Sequence, residues 1–502
     1  MSFPLAGNLS CRKDAGQAGM TENGERVFLF VTRMSGGEQM FEKYRIIHFV
    51  GIGGIGMSGI AEVLANLGYE VTGSDLKESD TTRRLSSMGV KVSIGHREEH
   101  VGNAHVVVIS SAVRPDNPEV IEAKRHLIPV IPRAEMLAEL ARLKYGILVA
   151  GAHGKTTTTS LISTVLGHCG LDPTIIIGGK LKGIGSNARL GSGEFLVAEA
   201  DESDGSFLKL SPTIAVVTNI DREHMEFFKD MDRLKDAFRS FINKVPFYGV
   251  AFICIENSHI RELIPDIHRR YITYGFSPNA DIHAANIEKS FMAVSFDLMY
   301  HGKNAGRFSL PAPGMHNVLN ALACIGVALE LKMDAVRINE ALAGFSGIHR
   351  RFEFKGEDRG VRVYDDYGHH PTEVRATIMA ARENMKYLGA GAQLFVVFQP
   401  HRYTRTADLM DEFAASFDAA DHTILLDIYP AGEPPIEGVT SGKLHQVMGD
   451  KGNSNVVYYG DREEALHYLL SQVHAGDLVL TLGAGDVWKM GETFVEMLHA
   501  DQ

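Results

Sequence analysis

Two glycine-rich turns, each between an apolar run and a helical pattern, restrict this chain to folds built from parallel α/β units. The first, GIGGIGMSG, begins at Gly51, and the second, GAHGKTTTT, begins at Gly151. Strand, glycine turn and helix in this order are typical of sites where backbone N–H groups at a helix N-terminus hold an anion. The sequence therefore predicts two domains that each bind a phosphorylated ligand.

The second turn has the chemistry of a nucleotide phosphate loop. The apolar run YGILVAG predicts a buried strand before it, and SLISTVLGHCG predicts a helix after it. Gly151 and Gly154 let N–H groups converge on phosphate oxygens, Lys155 supplies positive charge, and the Thr156 hydroxyl suits Mg²⁺. The spacing G-x-x-G-K-T departs from the usual G-x-x-x-x-G-K-T. A chance GKT triplet in a surface loop is the alternative, which the strand–loop–helix context disfavours.

The first turn matches a dinucleotide-type site. Gly51, Gly53 and Gly56 form G-x-G-x-x-G, and Asp75 follows 24 residues after Gly51 at the end of the second predicted strand. Such an acid commonly contacts a ribose hydroxyl, although a simple turn-forming role is the alternative. The strands VVVISSAV and PVIP complete this domain before the phosphate loop. The domain therefore has room for half a dinucleotide fold, which suits a single nucleotide diphosphate.

Acidic groups follow two predicted strands of the middle region. The segment EFLVAEADESDGSF carries Glu199, Asp201, Glu202 and Asp204, and IAVVTNIDREHMEFF carries His224. Solvated loop acids are one explanation, but a phosphate loop needs Mg²⁺, which takes oxygen ligands. Glu199 is the predicted magnesium ligand because it sits directly at a strand end. On composition alone, His224 is read as a structural or loop histidine.

A later helix begins with a cluster of polar side chains. GMHNVLNALACIGVALELKM carries His316, Asn317 and Asn320 in its first turns. The asparagines are either helix caps or amide groups that read the donor–acceptor edge of adenine.

A change of composition at FSGIHRRFE predicts a linker, followed by a third α/β domain. VRVYDDYGHHPTEVRATIMAARE and QLFVVFQPHRYTRTADLMDEF each predict strand, polar loop and helix. Arg402 and Arg405 lie three residues apart at a helix start, where two guanidinium groups can clamp a carboxylate or phosphate.

Bulk properties exclude several classes of function. The net charge of −12 leaves no basic stripe for a nucleic-acid backbone. The four cysteines show no metal-binding spacing, which predicts reduced thiols in a cytoplasmic protein. No apolar run approaches the ~20 residues that a membrane-spanning helix needs. Residues 1–43 lack periodicity, so they are predicted to be a disordered extension or a mis-assigned start.

Seven motifs together resemble the Mur ligase family, and within it the members that add the first amino acid. They are GIGGIGMSG, GAHGKTTTT, AEADESD, HNVLNA, GIHRRFE, DDYGHHPTEV and FQPHRYTRT, in the family's order from about residue 44 onward. The family's phosphate loop has the G-x-x-G-K-T spacing. The resemblance implies three α/β domains: a Rossmann-like UDP-binding domain at 44–145, a P-loop ATP-binding domain at 146–346, and a Rossmann-like domain at 347–502 that binds the amino acid and closes on ATP.

The resemblance also implies a role for each matching position. The ATP-binding positions are Gly151, Ala152, His153, Gly154, Lys155, Thr156, Thr157, His316, Asn317, Arg351 and Asp366. The positions for the UDP-linked substrate are Gly51, Gly53, Gly54, Gly56, Asp75, His96 and Ser110. The metal ligands are Thr156, Glu199 and His224, and the amino-acid-binding positions are Tyr367, His369, His401, Arg402 and Arg405. The catalytic positions are Lys155, Arg351, His369 and His370, and which of the two histidines deprotonates the amine is left open.

The implied reaction is ATP-dependent joining of L-alanine to the lactyl carboxylate of UDP-N-acetylmuramate through an acyl phosphate, in peptidoglycan precursor synthesis. The implied cofactors are ATP and Mg²⁺, for which Mn²⁺ is expected to substitute, and a monomer or weak dimer is expected. One alternative is a related ligase that recycles a murein tripeptide. More remote alternatives are a nicotinamide-dependent oxidoreductase, resting on the first turn alone, and a non-catalytic nucleotide sensor.

Overall fold

Three β-sheets follow one another along the chain, and each carries part of the predicted chemistry. The computed structural model describes residues 45–110, 112–182, 186–389 and 391–500. The predictions for residues 1–43 lie outside these described residues. Strong β-formers fill the central strands and helices connect most of them, which is the pattern of buried α/β sheets.

The first sheet is parallel, and its strand order reverses direction beside its first strand. The order is β3-β2-β1-β4-β5, so the turn after β1 lies at a topological switch point, where such sheets bind ligands. The strands are β1 Ile46–Val50, β2 Glu70–Asp75, β3 Lys91–Ile94, β4 Val106–Ile109 and β5 Val130–Pro132. The helices are Ile55–Asn66, Asp80–Ser87, Pro118–Arg125 and Arg133–Arg142, with a 3₁₀ turn at Glu98–His100.

The middle sheet is larger and mixed, with the order β15-β14-β13-β12-β11-β10-β6-β9-β7-β8. Its centre is parallel, whereas β7–β8 and β13–β14–β15 pair antiparallel. The strands are β6 Tyr145–Ala150, β7 Thr174–Leu181, β8 Ser186–Arg189, β9 Phe195–Glu199, β10 Ile214–Val217, β11 Val250–Cys254, β12 Tyr271–Gly275, β13 Ile282–Ser290, β14 Ala293–Tyr300 and β15 Lys303–Leu310. The helices are Lys155–His168, Met225–Phe228, Met231–Ile242, Ser258–Leu263, Met315–Glu330 and Ala335–Ala343, with 3₁₀ turns at Ser206–Lys209 and Ile264–Asp266.

The third sheet has the order β16-β17-β21-β18-β19-β20 and is parallel except at its edge, where β16 pairs antiparallel with β17. The strands are β16 Glu353–Asp358, β17 Val361–Asp366, β18 Leu394–Phe398, β19 His422–Leu425, β20 Val456–Tyr458 and β21 Leu478–Leu482. The helices are Pro371–Met385, Tyr403–Asp408, Met410–Ala414, Ser441–Asp450, Arg462–Gln472 and Trp488–Ala500. The third domain is therefore the predicted α/β domain, with one antiparallel strand added at its edge.

The first and middle sheets share one continuous apolar core, which holds the first glycine turn against the phosphate-loop domain. The helix Ile55–Asn66 packs on the β7–β8 hairpin, where a Cβ at Gly59 would lie 3.1 Å from the Ala188 methyl. Asn187 donates from Nδ2 to the Ser58 hydroxyl at 3.3 Å. The third sheet has its own apolar clusters on both faces.

The structure can be compared with two predictions made from composition, those on the cysteines and on membrane-spanning helices. Cys254 and Cys324 are buried free thiols and Cys169 is a partly buried one, while Cys11 lies outside the described residues. Within the described ranges, no helix has the length and apolar character to cross a membrane.

Candidate active site

The phosphate loop has the predicted strand–loop–helix geometry. Strand β6 ends at Ala150 and the following helix begins at Lys155. Gly151 and Gly154 have φ values of +135° and +81°, which side chains with a Cβ rarely adopt. A Cβ at Gly154 would lie 2.6 Å from Oδ1 of Asn320. The surface-loop alternative for the GKT triplet is therefore wrong.

Lys155 is already engaged by a buried carboxylate. Its ammonium donates to Glu202 at 2.8 Å and to the Gly151 carbonyl at 2.6 Å. Burial opposes the charge, but the Glu202 and Asp201 carboxylates raise the pKa of Lys155 above its usual value. Glu202 is 2% exposed, so reading it as a solvated loop acid is wrong.

The predicted metal ligands lie at the ends of neighbouring strands. Glu199 ends β9, where its carboxylate accepts from the Gly178 N–H at 2.7 Å, and burial raises its pKa. The Thr156 hydroxyl hydrogen-bonds to the same carboxylate. His224 belongs to a second group, in which ligand atoms of Glu202, Glu223 and His224 lie within 4.8 Å of one another. Hydroxyl and carboxylate oxygens form a donor set that suits a hard divalent cation.

A cavity of about 550 Å³ opens beside the phosphate loop, between the middle and third sheets. Its volume lies within the range of pockets that hold small molecules or nucleotides. Several predicted ATP-binding residues line it: His153, Gly154, Thr157, His316, Asn317, Arg351 and Asp366. Residues from four separate motifs therefore meet in one cavity. Ala152 lies at the base of the loop, where its N–H donates to the Asn219 carbonyl.

The asparagine pair at the start of the helix Met315–Glu330 does not cap it. Gly314 is the N-cap residue, and no side chain supplies a capping hydrogen bond there. Asn317 donates to the Pro313 carbonyl at 2.7 Å and accepts from Asn320 at 3.3 Å. Both amides are nearly buried at the cavity, so the capping alternative is wrong.

The linker between the second and third sheets is held by a hydrogen bond to Asp366. Asp366 accepts from the Phe352 and Gly368 N–H groups, both at 2.8 Å, and burial raises its pKa. The Arg351 guanidinium carbon lies 5.2 Å from the centre of the Tyr367 ring, within cation–π distance. Arg350 stacks on the same ring at 5.0 Å. Of the two residues predicted to reach ATP from this side, Arg351 therefore lies in the linker, and Asp366 lies at the end of β17 and holds that linker.

A histidine of the phosphate loop joins the middle domain to the third. His153 lies 2.9 Å from Asp221 and 3.4 Å from Glu373. Burial lowers its pKa, but the hydrogen bonds to both carboxylates outweigh this and raise the pKa to about 10. The Thr372 hydroxyl donates to the same Asp221 carboxylate at 2.7 Å. Sequence reasoning missed both acids, although each lies within a motif that it had singled out.

The two histidines proposed as bases differ in their surroundings. The His369 ring lies 3.3 Å from Glu373, yet burial lowers its pKa to about 4. His370 caps the helix Pro371–Met385 by accepting from the Thr372 N–H at 3.3 Å. Its buried Nε2 has no hydrogen-bond partner among the described residues. Both rings lie beside the middle-domain acid cluster, and the geometry leaves the choice between them open.

The paired arginines line one small cavity but have different partners. A space of about 40 Å³ is bounded by Arg402, Arg405, Glu223 and other side chains. Arg405 is 14% exposed, 3.8 Å from Glu223 and 3.3 Å from the His401 ring nitrogen. Arg402 is 43% exposed, with Glu433 at 3.8 Å. Arg405 is therefore the better placed of the two to meet a small anion.

The first glycine turn is organised by the end of β2. The Asp75 carboxylate accepts from the Gly53 N–H at 2.8 Å, and the Ser74 carbonyl accepts from the Gly51 N–H at 2.8 Å. A Cβ at Gly51 would lie 3.1 Å from the Ser110 hydroxyl, and Gly54 is the N-cap of the following helix. Other predicted residues at this edge are Gly56, which packs under the Arg133 guanidinium, and His96, which hydrogen-bonds to the Ser74 hydroxyl.

Comparison with known families matches the chain in three consecutive parts. Residues 46–145 match the Mur ligase family catalytic domain, residues 149–328 the Mur ligase middle domain, and residues 350–485 the Mur ligase glutamate ligase domain. These parts coincide with the three sheets.

Individual relatives agree over nearly the whole chain. A UDP-N-acetylmuramate–L-alanine ligase from Geotalea uraniireducens (strain Rf4) is 56% identical over 462 residues, which cover 92% of this chain and 100% of the relative. The corresponding ligase from Geobacter sulfurreducens is 57% identical over 92% of this chain and 99% of its own. The crystal structure of a UDP-N-acetylmuramate-alanine ligase from Thermotoga maritima superposes with a TM-score of 0.77 at 28% identity, covering 91% of this chain and 99% of its own. With three matching domains, the same sheets and relatives above half identity, the chain belongs to the Mur ligase family.

Proposed function

We propose that the chain joins L-alanine to the lactyl carboxylate of UDP-N-acetylmuramate, using ATP, as a step of peptidoglycan precursor synthesis. The observation that carries this proposal is the meeting of Gly154 and Asn317 from the middle domain with Arg351 and Asp366 from the third around one cavity. Two relatives named for this activity support the proposal, because their sequences are more than half identical to this chain over nearly their entire length.

The first chemical step is phosphoryl transfer to the substrate carboxylate. A carboxylate is a poor electrophile, and phosphorylation gives it a leaving group. Two unit charges 4 Å apart repel by about 4 kcal/mol at an effective dielectric near 20. That repulsion corresponds to roughly three powers of ten in rate. Lys155, charged in its buried position, offsets it from the phosphate loop.

A divalent cation fits the oxygen donors beside the loop. Thr156 and Glu199 would hold it at the β6–β9 edge, with His224 on the side of Glu202 and Glu223. When bound, Mg²⁺ supplies charge neutralisation on the phosphates. His153, Gly154 and Thr157 orient the nucleotide phosphates, and Asn317 with His316 faces the adenine end of the cavity.

The second step is attack of the alanine amine on the acyl phosphate, which expels phosphate and forms the amide. The amine loses a proton, and His369 or His370 is the proposed acceptor, because neither is held as a cation by its surroundings. Arg405 and Arg402 would hold the alanine carboxylate, with His401 beside Arg405. The His369 ring contacts the rings of both His401 and Tyr367. The Thr372 hydroxyl donates to Asp221 and so links the third domain to the middle domain. Closure of the third domain over the site would exclude water and protect the acyl phosphate.

The small cavity at the arginines favours alanine over a peptide. A space of about 40 Å³ suits a small side chain better than a murein tripeptide. The solved structure of a murein peptide ligase nevertheless has the same architecture. ATP-dependent phosphate release with UDP-N-acetylmuramate and each amino acid in turn tests the proposal. We expect release with L-alanine. Release that is faster with the tripeptide would favour the recycling reaction instead.

A further inference from the structure

The hairpin formed by β13 and β14 ends in a tight turn with an unusual backbone; we refer to residues 289–292 as the hairpin tip. Ser290 pairs with Ala293, so Phe291 and Met292 form a two-residue turn. Met292 has a φ of +56°, a conformation that glycine or asparagine adopts more readily than a residue with a long side chain. A backbone strained in this way persists only where surrounding contacts hold it.

The third domain supplies these contacts from the C-terminal end of the helix Pro371–Met385. The Met292 N–H donates to Oδ1 of Asn384 at 2.7 Å, and Asn384 is 3% exposed. Just beyond the helix, the Tyr387 hydroxyl donates to the Lys289 carbonyl at 2.6 Å. Two backbone groups of the hairpin tip, which belongs to the middle domain, are therefore bound to the third domain.

Side chains of the hairpin tip add to this attachment. The Lys289 ammonium lies 2.5 Å from Glu383, and the Phe291 ring meets the Tyr387 ring edge-on, with 6.4 Å between the ring centres. The Met292 side chain packs against an apolar cluster of the third sheet and also lines the cavity of about 550 Å³. The hairpin tip therefore contacts both the proposed nucleotide cavity and the third domain.

The same third-domain helix meets the middle domain at its other end. There the Thr372 hydroxyl donates to Asp221 at 2.7 Å, and Glu373 lies 3.4 Å from His153 of the phosphate loop. A helix of 15 residues is about 22 Å long. Between its ends, residues 376–377 line the cavity. The cavity is therefore bounded by one helix that the middle domain holds at both ends.

Two attachments constrain a helix more than one does. A helix held only at its N-terminal end would pivot about that end and carry the third domain with it. His369 and His370 directly precede the helix, and Arg405 lies 3.8 Å from Glu223 of the middle domain. A pivot would shift these groups relative to the phosphate loop, and a misplacement of about 1 Å in a reacting group is costly. The second attachment removes this rotation.

We propose that the hairpin tip is a positioning element for the ligation step. By holding the C-terminal end of the helix Pro371–Met385, it fixes the third domain in the arrangement that brings the amino acid to the phosphate loop. Lys289 and Asn384 are positioning residues that act through this helix. The inference rests on the proposed function, because it assumes that the third domain holds L-alanine.

The test reverses the ion pair between Lys289 and Glu383, whose side chains are 30% and 34% exposed and therefore tolerate substitution. Lys289→Glu brings two carboxylates together, so kcat/KM for L-alanine should fall by at least ~5-fold. Glu383→Lys should cause a similar fall. The double variant Lys289→Glu/Glu383→Lys restores an ion pair and should return kcat/KM to within about 2-fold of the wild type.

A second variant and a control separate positioning from a general effect of charge. Tyr387→Phe removes only the hydroxyl that holds the Lys289 carbonyl, and it should lower kcat/KM for L-alanine by about 3-fold. Lys235→Glu disrupts an ion pair with Glu262 inside the middle domain, and kcat/KM should stay within about 2-fold of the wild type.

Binding of the other substrate distinguishes positioning from damage to the fold. The dissociation constant of UDP-N-acetylmuramate should stay within about 2-fold in every variant, because the first domain holds that substrate in the proposed function. A purely structural contact would instead lower the melting temperature and leave kcat/KM unchanged.

The contrary results are distinct. An unchanged kcat/KM in Lys289→Glu, or a fall that the double variant does not restore, would overturn the inference while the ligase proposal stands. A rise in the dissociation constant of UDP-N-acetylmuramate as large as the fall in kcat/KM would also overturn it, since the effect would then be global. Absence of ATP-dependent phosphate release in the wild type would contradict the proposed function itself.

Discussion

The Lys155 ammonium lies 2.8 Å and 3.0 Å from the two oxygens of the Glu202 carboxylate, which makes the phosphate-loop lysine half of a nearly buried ion pair. Removing one partner of such a pair leaves the other charge unbalanced, which commonly costs about 3–5 kcal/mol. We therefore expect the lysine to contribute to stability as well as to the proposed phosphoryl transfer, and substitutions can separate the two roles.

Lys155→Ala should reduce turnover by at least ~100-fold, because the lysine offsets developing phosphate charge. Binding of UDP-N-acetylmuramate should remain within a few-fold of the wild type, since the lysine lies in another domain. The double variant Lys155→Ala/Glu202→Gln should regain thermal stability without regaining turnover. Lys91→Ala, an exposed lysine of the first sheet, serves as control. Unchanged turnover in Lys155→Ala would remove the phosphate loop from the mechanism.

Asp75→Ala should raise the Michaelis constant for UDP-N-acetylmuramate by about 10-fold while that for ATP stays within a few-fold. The reason is the 2.8 Å hydrogen bond with which this carboxylate holds the Gly53 N–H in the first glycine turn. Steady-state kinetics with one substrate varied at a time measure both constants. Asp116→Ala, an exposed aspartate of the same domain, is the matched control. If the Michaelis constant for ATP changed instead, the roles assigned to the two glycine turns would have to be reversed.

Arg405→Lys should raise the Michaelis constant for L-alanine by about 10-fold or more, because lysine keeps the charge but loses the planar fork that binds a carboxylate. Arg402→Lys should also raise the Michaelis constant for L-alanine, but by less, because Arg402 is 43% exposed whereas Arg405 is 14% exposed. Arg462 forms an ion pair elsewhere in the third domain, so the control variant Arg462→Lys should leave the Michaelis constant for L-alanine unchanged. Untouched alanine saturation in both variants would mean that these arginines form only ion pairs.

His153→Gln should reduce the free energy of unfolding in a pH-dependent way. Hydrogen bonds to Asp221 and Glu373 raise the folded-state pKa of His153 to about 10, above the ordinary value near 6.5. The histidine's stabilisation is therefore complete below about pH 6.5 and is lost as the pH rises through about 10. Urea unfolding at pH 6.5 and pH 9.5 should show the wild type's advantage shrinking between the two. The control variant His126→Gln should show no such pH dependence. If the difference in free energy of unfolding between the wild type and His153→Gln stayed constant with pH, that result would contradict the ion pairs of His153.

Local pattern was enough to locate the two glycine turns and their flanking elements. Periodicity and glycine spacing depend on neighbours in the chain, so the phosphate-loop strand and helix, Asp75 at the end of β2 and Glu199 at the end of β9 were predicted correctly. The antiparallel hairpins at both edges of the middle sheet were not predicted. Their pairing is set by packing on distant elements and not by local propensity.

What the sequence by itself determined is therefore the set of chemical groups, their order and the α/β class, because these follow from residue type and spacing. The tertiary structure alone decided which groups meet. Glu202 turned out to be the partner of Lys155, and Asp221 and Glu373 converge on His153 from different domains. Such pairs are separated by many residues in the chain, and burial together with charge balance brings them together only once the sheets have packed.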